Sequence, residues 1–342
     1  MKIIKQLNRK TVLRLGQAFL MFFVASSSMA KTVEVTEGLT VEVHEDVKGT
    51  YKFAHGFGLI YGPMPVARYL GAVEKMFPNA NIQWQNIFTT SQQRDAMLSG
   101  SLHFGSCTPG PFFQALDKGV DWKWLQTTSG FDGYLMVRKD GPAKVENFIG
   151  TSMKMSPGPN TAQYFAIQEY LKKAGKDVHA LDKNWANLPH PDAMQALIAG
   201  QLDGHFATSD FALRLEAEGM KKIASFIDIY GGLYPVGACA FTKTIKEHRQ
   251  LAQGYADILR KVADWMNANP AKAAQVMSQS TGGKESAKNF EKYLQSSVYK
   301  SFTKDANLQA YGKSLHELGA IKRAPTNVND VYAFPEYAGE KW

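Results

Sequence analysis

Short polar side chains gather in this chain where extended runs give way to helical ones. Thr89, Ser91 and Gln92 stand together in FTTSQQ, Ser106 and Thr108 in GSCTPG, Asn160 and Thr161 in PGPNTA, and Asn187 in NLPHPD. Hydroxyls and carboxamides beside free first-turn amides hold an anion without a full positive charge. The loops 55–64, 89–92, 106–112, 157–163, 187–192 and 208–211 carry almost no Lys or Arg, so any anion there is held by neutral donors. The bland alternative is capping, in which each side chain serves only its own helix.

Two acids modify that picture. Asp132 lies in SGFDGY and Asp210 in TSDFAL. Facing the same crevice, either would pair with an ammonium or ring N–H, and a small zwitterion would use acids and neutral donors together. Otherwise Asp132 is a turn residue and Asp210 a helix cap. Phe57, Tyr61, Phe112, Tyr230 and Tyr234 flank these loops. They either pack the core or bracket a flat heterocycle or quaternary amine. His55 closes the first strand of the main body, as an anion donor or a hydrogen-bonded wall residue.

Nucleophilic chemistry has one candidate, Cys107, at the end of a strand. A reactive thiol needs a base or a setting that lowers its pKa, and the crevice loops contain no Glu. No catalytic residue is therefore assigned, and an enzyme using Cys107 is kept as the competing class. Cys107 and Cys239 are the only cysteines, compatible with one long-range disulfide or two buried thiols. The eight His are scattered without zinc spacing, so neither metal nor cofactor is expected.

These residues are positioned by alternating strands and helices. TVEVTEGLTVEV (32–43) reads as a small hairpin around Glu37-Gly38. From Tyr51 the runs YKFAHG, IQWQNIF and LHFGSC read as strands separated by helical VARYLGAVEKMF and QQRDAMLSG. WKWLQTTSGFDGYLMVRKDG supplies two extended runs. Strands are predicted at 151–156, 180–188, 202–209 and 221–229, with helices between them. From Ile245 onward the chain is mostly helical, and Pro270 opens a new helix. Such alternation argues for parallel sheets with helical crossovers.

Residues 1–30 have the layout of a cleaved export signal. Lys2, Lys5, Arg9, Lys10 and Arg14 precede the apolar Ala18–Ala25, and Ser28 and Ala30 sit at the peptidase positions. Cleavage near Ala30 places the product in the periplasm or outside. The leader holds five basic residues and no acid, so without it the basic excess falls from 8 to 3. That balance gives little support to a nucleic-acid partner.

Four segments carry a family resemblance: AHGFGLIYGPMPVA, TTSQQRDAMLSGSLHFGSCTPGPFFQALDKG, LMVRKDGPAKVENFIGTSMKMSPGPNTAQYFAIQEYLKKAG and LPHPDAMQALIAGQLDGHFATSDFA. Together they resemble the solute-binding proteins of ABC importers of the nitrate/sulfonate/taurine and thiamine-precursor type, over roughly Tyr51 to Gly319. The resemblance implies an α/β fold of the two-lobed periplasmic binding protein kind (type II), each lobe a mainly parallel sheet, joined by a two-stranded hinge. Behind residues 31–50, lobe one would comprise 51–140 and 236–342, and lobe two 141–235. It implies a monomer that traps a small organic solute and delivers it to an ABC permease with a cytoplasmic ATPase. Taurine or another alkanesulfonate is the favoured solute, ahead of a pyrimidine or thiamine precursor, a quaternary amine or a small aromatic acid. The expected ligand contacts are His55, Phe57, Tyr61, Thr89, Ser91, Gln92, Ser106, Thr108, Asp132, Asn160, Thr161, Asn187, Asp210 and Tyr234.

Overall fold

A computed structural model describes residues 31–56, 58–87, 90–283, 285–297, 299–301 and 308–338, with the side chain of Ser91 excepted. The export signal expected in residues 1–30 lies outside them. The alternating pattern of 32–43 does fold as a hairpin, β1 (Thr32–Thr36) antiparallel to β2 (Leu39–Glu42). Gly38, at φ +79°, takes the left-handed turn conformation that favours glycine.

The main body begins with β3 (Gly49–Ala54), followed by helices α1 (Pro63–Tyr69) and α2 (Ala72–Met76) and by β4 (Ala80–Gln85), parallel to β3. Helix α3 (Thr90–Leu98), β5 (Gly105–Cys107) and α4 (Pro109–Asp117) come next. Then β6 (Trp122–Phe131) passes directly into β7 (Tyr134–Val137). After β8 (Met155–Ser156) come α5 (Ala162–Lys173), α6 (His190–Ile198), β9 (Gly204–Ala207) and α7 (Ser209–Ala217). Strand β10 (Lys221–Ser225) and the short α8 (Phe226–Tyr230) lead into β11 (Tyr234–Phe241). The remainder is α9 (Thr242–Glu247), α10 (Arg249–Ala268), α11 (Pro270–Ser280), α12 (Ala287–Leu294), β12 (Tyr299–Ser301), α13 (Leu308–Glu317) and α14 (Val328–Val331).

Two four-stranded sheets result, ordered β12-β6-β11-β5 and β10-β7-β9-β8. The β3–β4 pair adjoins the first through the parallel bridge Phe53–Phe104. The expected α/β class holds, with sheets flanked by helices. The pairing, however, is mixed rather than mainly parallel: β6, β7 and β11 run antiparallel to their neighbours, while β3–β4 and β8–β9 are parallel. The strand expected at 180–188 is a second departure. Asp182–Asn184 forms a single 3-10 turn, and only Trp185 bridges to Met155. Asn184 donates from Nδ2 to the carbonyls of Phe148, Thr151 and Met153, so its side chain replaces a ladder there. Likewise 221–229 divides at Ser225, whose hydroxyl accepts from Asp228 N–H and starts α8.

Helix α10 shows why the C-terminal part packs as it does. Leu251, Tyr255, Ile258, Leu259, Val262 and Met266 recur at helical spacing and are all buried. Asn269 ends this helix and Pro270 opens α11, where its missing N–H costs nothing. The Tyr255 ring meets Phe53 edge-on at 4.9 Å, and Phe53 stacks on Phe104 at 4.8 Å. Among the described residues no helix is long and apolar enough to cross a membrane.

On β11, Gly237 lies directly against the side chain of Trp124 on β6. A Cβ there would stand 2.2 Å from the Trp124 ring, whose indole N–H is held by Thr127 at 3.0 Å. Gly237→Ala is therefore expected to lower stability by about 1–3 kcal/mol through overpacking. Chemical denaturation at constant m-value checks it, and an unchanged midpoint would show that the indole yields.

Candidate functional site

The sequence-predicted loops meet at the edge of β3 and β5. Ser106 is fully buried; it accepts from Gly56 N–H (3.0 Å) and donates to Gln93 Oε1 (3.2 Å). The Ser106 N–H reaches the same Gln93 oxygen at 2.5 Å, while Gln93 Nε2 donates to Ile87 carbonyl at 2.7 Å. The residue that ties these loops together is thus Gln93, which sequence reasoning passed over for its exposed neighbour Gln92. Only the helical phase of α3 distinguishes the two. Tyr61 is buried with its ring over Gly56, where a Cβ would lie 2.1 Å away. Burial drives its phenol pKa upward. Tyr234 is also buried, and its hydroxyl accepts from Gly110 N–H at 3.2 Å.

Capping separates the remaining residues. Thr161 is a plain cap: its Oγ1 accepts from Tyr164 N–H at 3.2 Å and donates to Gly158 carbonyl at 2.8 Å. Thr108 stands at the N-cap of α4 with no side-chain bond to its own helix. Asn160 is exposed, in the left-handed region at φ 63°, and Asn187 is exposed beside Gly158. Phe57 and Thr89 lie outside the described residues, as does the Ser91 side chain. Phe112 stacks on Trp122 at 5.0 Å, and Tyr230 packs on Tyr311 at 4.5 Å; both aromatics are used in packing.

The two acids part company. Asp132 is buried between β6 and β7, where Oδ1 accepts from Ile227 N–H at 3.1 Å and its carbonyl accepts from Ser209 Oγ at 2.9 Å. Its carboxylate is engaged in the start of α8, the turn role open to it from sequence. Asp210 instead lines a cavity of about 340 Å³. Gly58, Leu59, Thr281, Phe290 and Tyr293 bound that cavity on one side, with Pro191–Gln195 and Asp210–Arg214 opposite. Thr208 Oγ1 donates to Asp210 Oδ1 at 2.8 Å, and Tyr293 hydroxyl donates to its carbonyl at 3.0 Å. Burial raises the carboxyl pKa, opposed by the Thr208 bond. Arg214 pairs with Glu285 across the same cavity.

A second chamber of about 240 Å³ shares Gly58, Thr281 and Phe290 with the first and is lined further by His55, Arg68 and Asn86. Arg68 donates to Asn86 Oδ1 at 3.1 Å, lies 5.8 Å above the Trp84 ring, and pairs with no carboxylate among the described residues. Sequence reasoning missed it, because a single Arg on a helix carries no signal of where its face points. It also missed His190 and His205, whose rings meet at Nδ1–Nε2 3.2 Å, with His205 Nδ1 3.3 Å from Ser156 carbonyl. Burial lowers His55 and His190 to about 4, and burial with the neighbouring His190 lowers His205 well below the usual imidazole range.

Cys107 and Cys239 are both free and buried. Cys107 Sγ points at Gly237 carbonyl (3.6 Å), and burial together with Cys239 raises its pKa well above the usual range. A buried protonated thiol is a poor nucleophile, so this geometry speaks against the Cys107 enzyme. Among the described residues no cluster of His, Cys, Asp and Glu forms a metal site.

A crevice walled by segments of two α/β sheets is the layout of a periplasmic binding protein. Residues 79–229 match the family model described as ABC transporter, phosphonate, periplasmic substrate-binding protein. The aliphatic sulphonate binding protein SsuA of Escherichia coli is similar in structure, with TM-score 0.66 and 16% identity over 86% of this chain and 94% of that one. SsuA of Xanthomonas axonopodis pv. citri, bound to MOPS, gives 0.68 and 15% over 85% and 99%. The nitrate-binding protein NrtA of Synechocystis PCC 6803 gives 0.63 and 11% over 84% and 85%. At such identities the structures share the fold. No curated protein sequence matches. The recognition made from the sequence, a protein resembling the periplasmic solute-binding components of ABC importers, stands on this match and this fold.

Two outcomes follow from the buried groups. In the native protein neither thiol is expected to react with a soluble thiol reagent, and both should react after unfolding; a rapidly labelled native thiol would contradict the burial. The neutral rings of His55, His190 and His205 refuse a proton that the unfolded chain takes up near pH 6.5. Stability present above that pH should fall as pH drops from about 6.5 to about 4. A His190→Gln/His205→Gln double variant should lose less Tm over that window than wild type, and an equal loss would refute the assignment.

Proposed function

We propose that this chain is the extracytoplasmic solute-binding subunit of an ABC importer, that it traps a small zwitterion, and that taurine or a related alkanesulfonate is its solute. One observation carries this reading. The two adjoining chambers, which share Gly58, Thr281 and Phe290, differ in charge: Asp192, Asp210 and the Arg214–Glu285 pair line one, leaving an excess of acid, and Arg68 lines the other. A charged donor–acceptor pair discriminates between solutes, because a group left unmatched keeps its desolvation cost. An ammonium belongs at Asp210 and an oxyanion toward Arg68. The amine anchor is thereby assigned to Asp210 instead of Asp132.

The mechanism is trapping. Solute binds to lobe one, residues 51–140 and 236–342. Lobe two, 141–235, then rotates onto it about the two segments that connect them. The closed monomer presents both lobes to the permease. Solute shifts this equilibrium only by its preference for the closed state. Contacts of closure are available at Arg214–Glu285, at Lys172–Glu317 (2.5 Å) and at Ser314–Glu169 (2.8 Å).

Ligand-stripped protein should show a saturable rise in Tm with taurine. Asp210→Asn should weaken taurine by about tenfold or more and ethanesulfonate by far less, the difference expected for one charge-assisted hydrogen bond. Equal weakening of both would remove the zwitterion, and no shift with any sulfonate would remove the solute class.

A further inference from the structure

From the sequence His55 is either an anion donor or a hydrogen-bonded wall residue; its bonding makes it a hydrogen-bonded ring with a free acceptor. The ring sits at the end of β3 with Nδ1 2.8 Å from the carbonyl of Gly56. A carbonyl can only accept, so the proton resides on Nδ1. In the neutral ring Nε2 then offers a lone pair, and among the described residues this buried atom has no partner. An unpaired buried polar atom is costly, and native structures seldom retain one without a use.

That use follows from the surroundings. His55 lines the 240 Å³ chamber together with Arg68 and Asn86. Trp84 lies behind both groups, its centroid 5.9 Å from the His55 ring and 5.8 Å from the Arg68 guanidinium carbon. Trp84 is itself fixed by Nε1–H donating to Glu74 Oε1 at 2.9 Å. A rigid indole therefore holds a cation and a hydrogen-bond acceptor against one small space. A bare sulfonate or nitrate satisfies Arg68 and leaves His55 Nε2 unpaired.

We propose that His55 Nε2 is a specificity-determining acceptor and that the solute carries an O–H or N–H donor close to its anionic group. This deepens, and rests on, the reading of an organic oxyanion as solute. The donor is read separately from any positive charge, which Asp210 addresses in the neighbouring chamber.

The test is calorimetric titration of ligand-stripped protein with ethanesulfonate and 2-hydroxyethanesulfonate, which differ by one neutral hydroxyl. Wild type should prefer the hydroxylated solute by about tenfold, the usual consequence of filling rather than stranding one buried hydrogen-bonding group. His55→Phe should bring the two affinities together, whereas Arg68→Gln should weaken both and keep their ratio. Equal affinities in wild type, or a preference that survives His55→Phe, would overturn the inference while leaving the oxyanion reading intact. If neither sulfonate binds, that reading fails and the inference falls with it. The wild-type ratio needs no variant, so a misfolded His55→Phe protein would not rescue the claim.

Discussion

The antiparallel pairing of β6 with β11 is the constraint on which the rest of the structure depends. The two strands stay paired from Trp122–Phe241 to Phe131–Tyr234, accommodating two register shifts. One end of this ribbon is the centre of the first sheet. From the other end both chains leave for the second sheet, β6 through Asp132-Gly133 into β7 and β11 through Gly231–Leu233 from α8. The close approach of Gly237 to Trp124, the burial of both thiols and the placement of Tyr234 against Gly110 all follow from that ribbon. Asp132 fastens its far end, since its carboxylate and carbonyl collect Ile227 N–H and Ser209 Oγ just where the chain crosses.

The chain passes between the two sheets at these two adjacent crossings, and segments from both sides of them line the cavity around Asp210. The chemistry of the crevice is divided. Backbone amides and neutral side chains line the β3–β5 edge, tied together by Gln93. Acids gather around Asp210, and a guanidinium stands at the far chamber. Burial keeps His55, His190 and His205 neutral, and both cysteines are packed in the interior. The crevice is therefore suited to holding a small polar solute by hydrogen bonds, with discrimination arising from groups that cannot find water if the wrong solute enters.

Much of this was legible in the sequence. Local alternation and turn chemistry marked the β1–β2 hairpin, the strand–helix rhythm from Tyr51 and the restart at Pro270. The four resembling segments pointed to the fold that the comparisons support. The antiparallel core was not legible, because β6 and β11 are about a hundred residues apart and pairing direction leaves no trace in either strand alone. The expected strand at 180–188 failed because a side chain, Asn184, took over its carbonyls. Sequence singled out residues by type, among them Ser106, which the structure places at the β3–β5 edge, and Asp210, which lines the cavity. It could not say which of Gln92 and Gln93 pointed inward, that Thr161 was spent on its own helix while Thr108 was not, or that Arg68 and the His190–His205 pair stood nearby. Those distinctions depend on helix phase and tertiary contact.

The central claim is that solute is held between the two sheets across the connected chambers. A crystal structure of protein purified without stripping, or soaked with taurine, tests it most directly. The account predicts electron density for the solute bounded by Gly58, Thr281 and Phe290, with its oxyanion toward Arg68 and its donor nitrogen toward Asp210. Well-ordered solute at any other place, with these chambers filled by water alone, would contradict it.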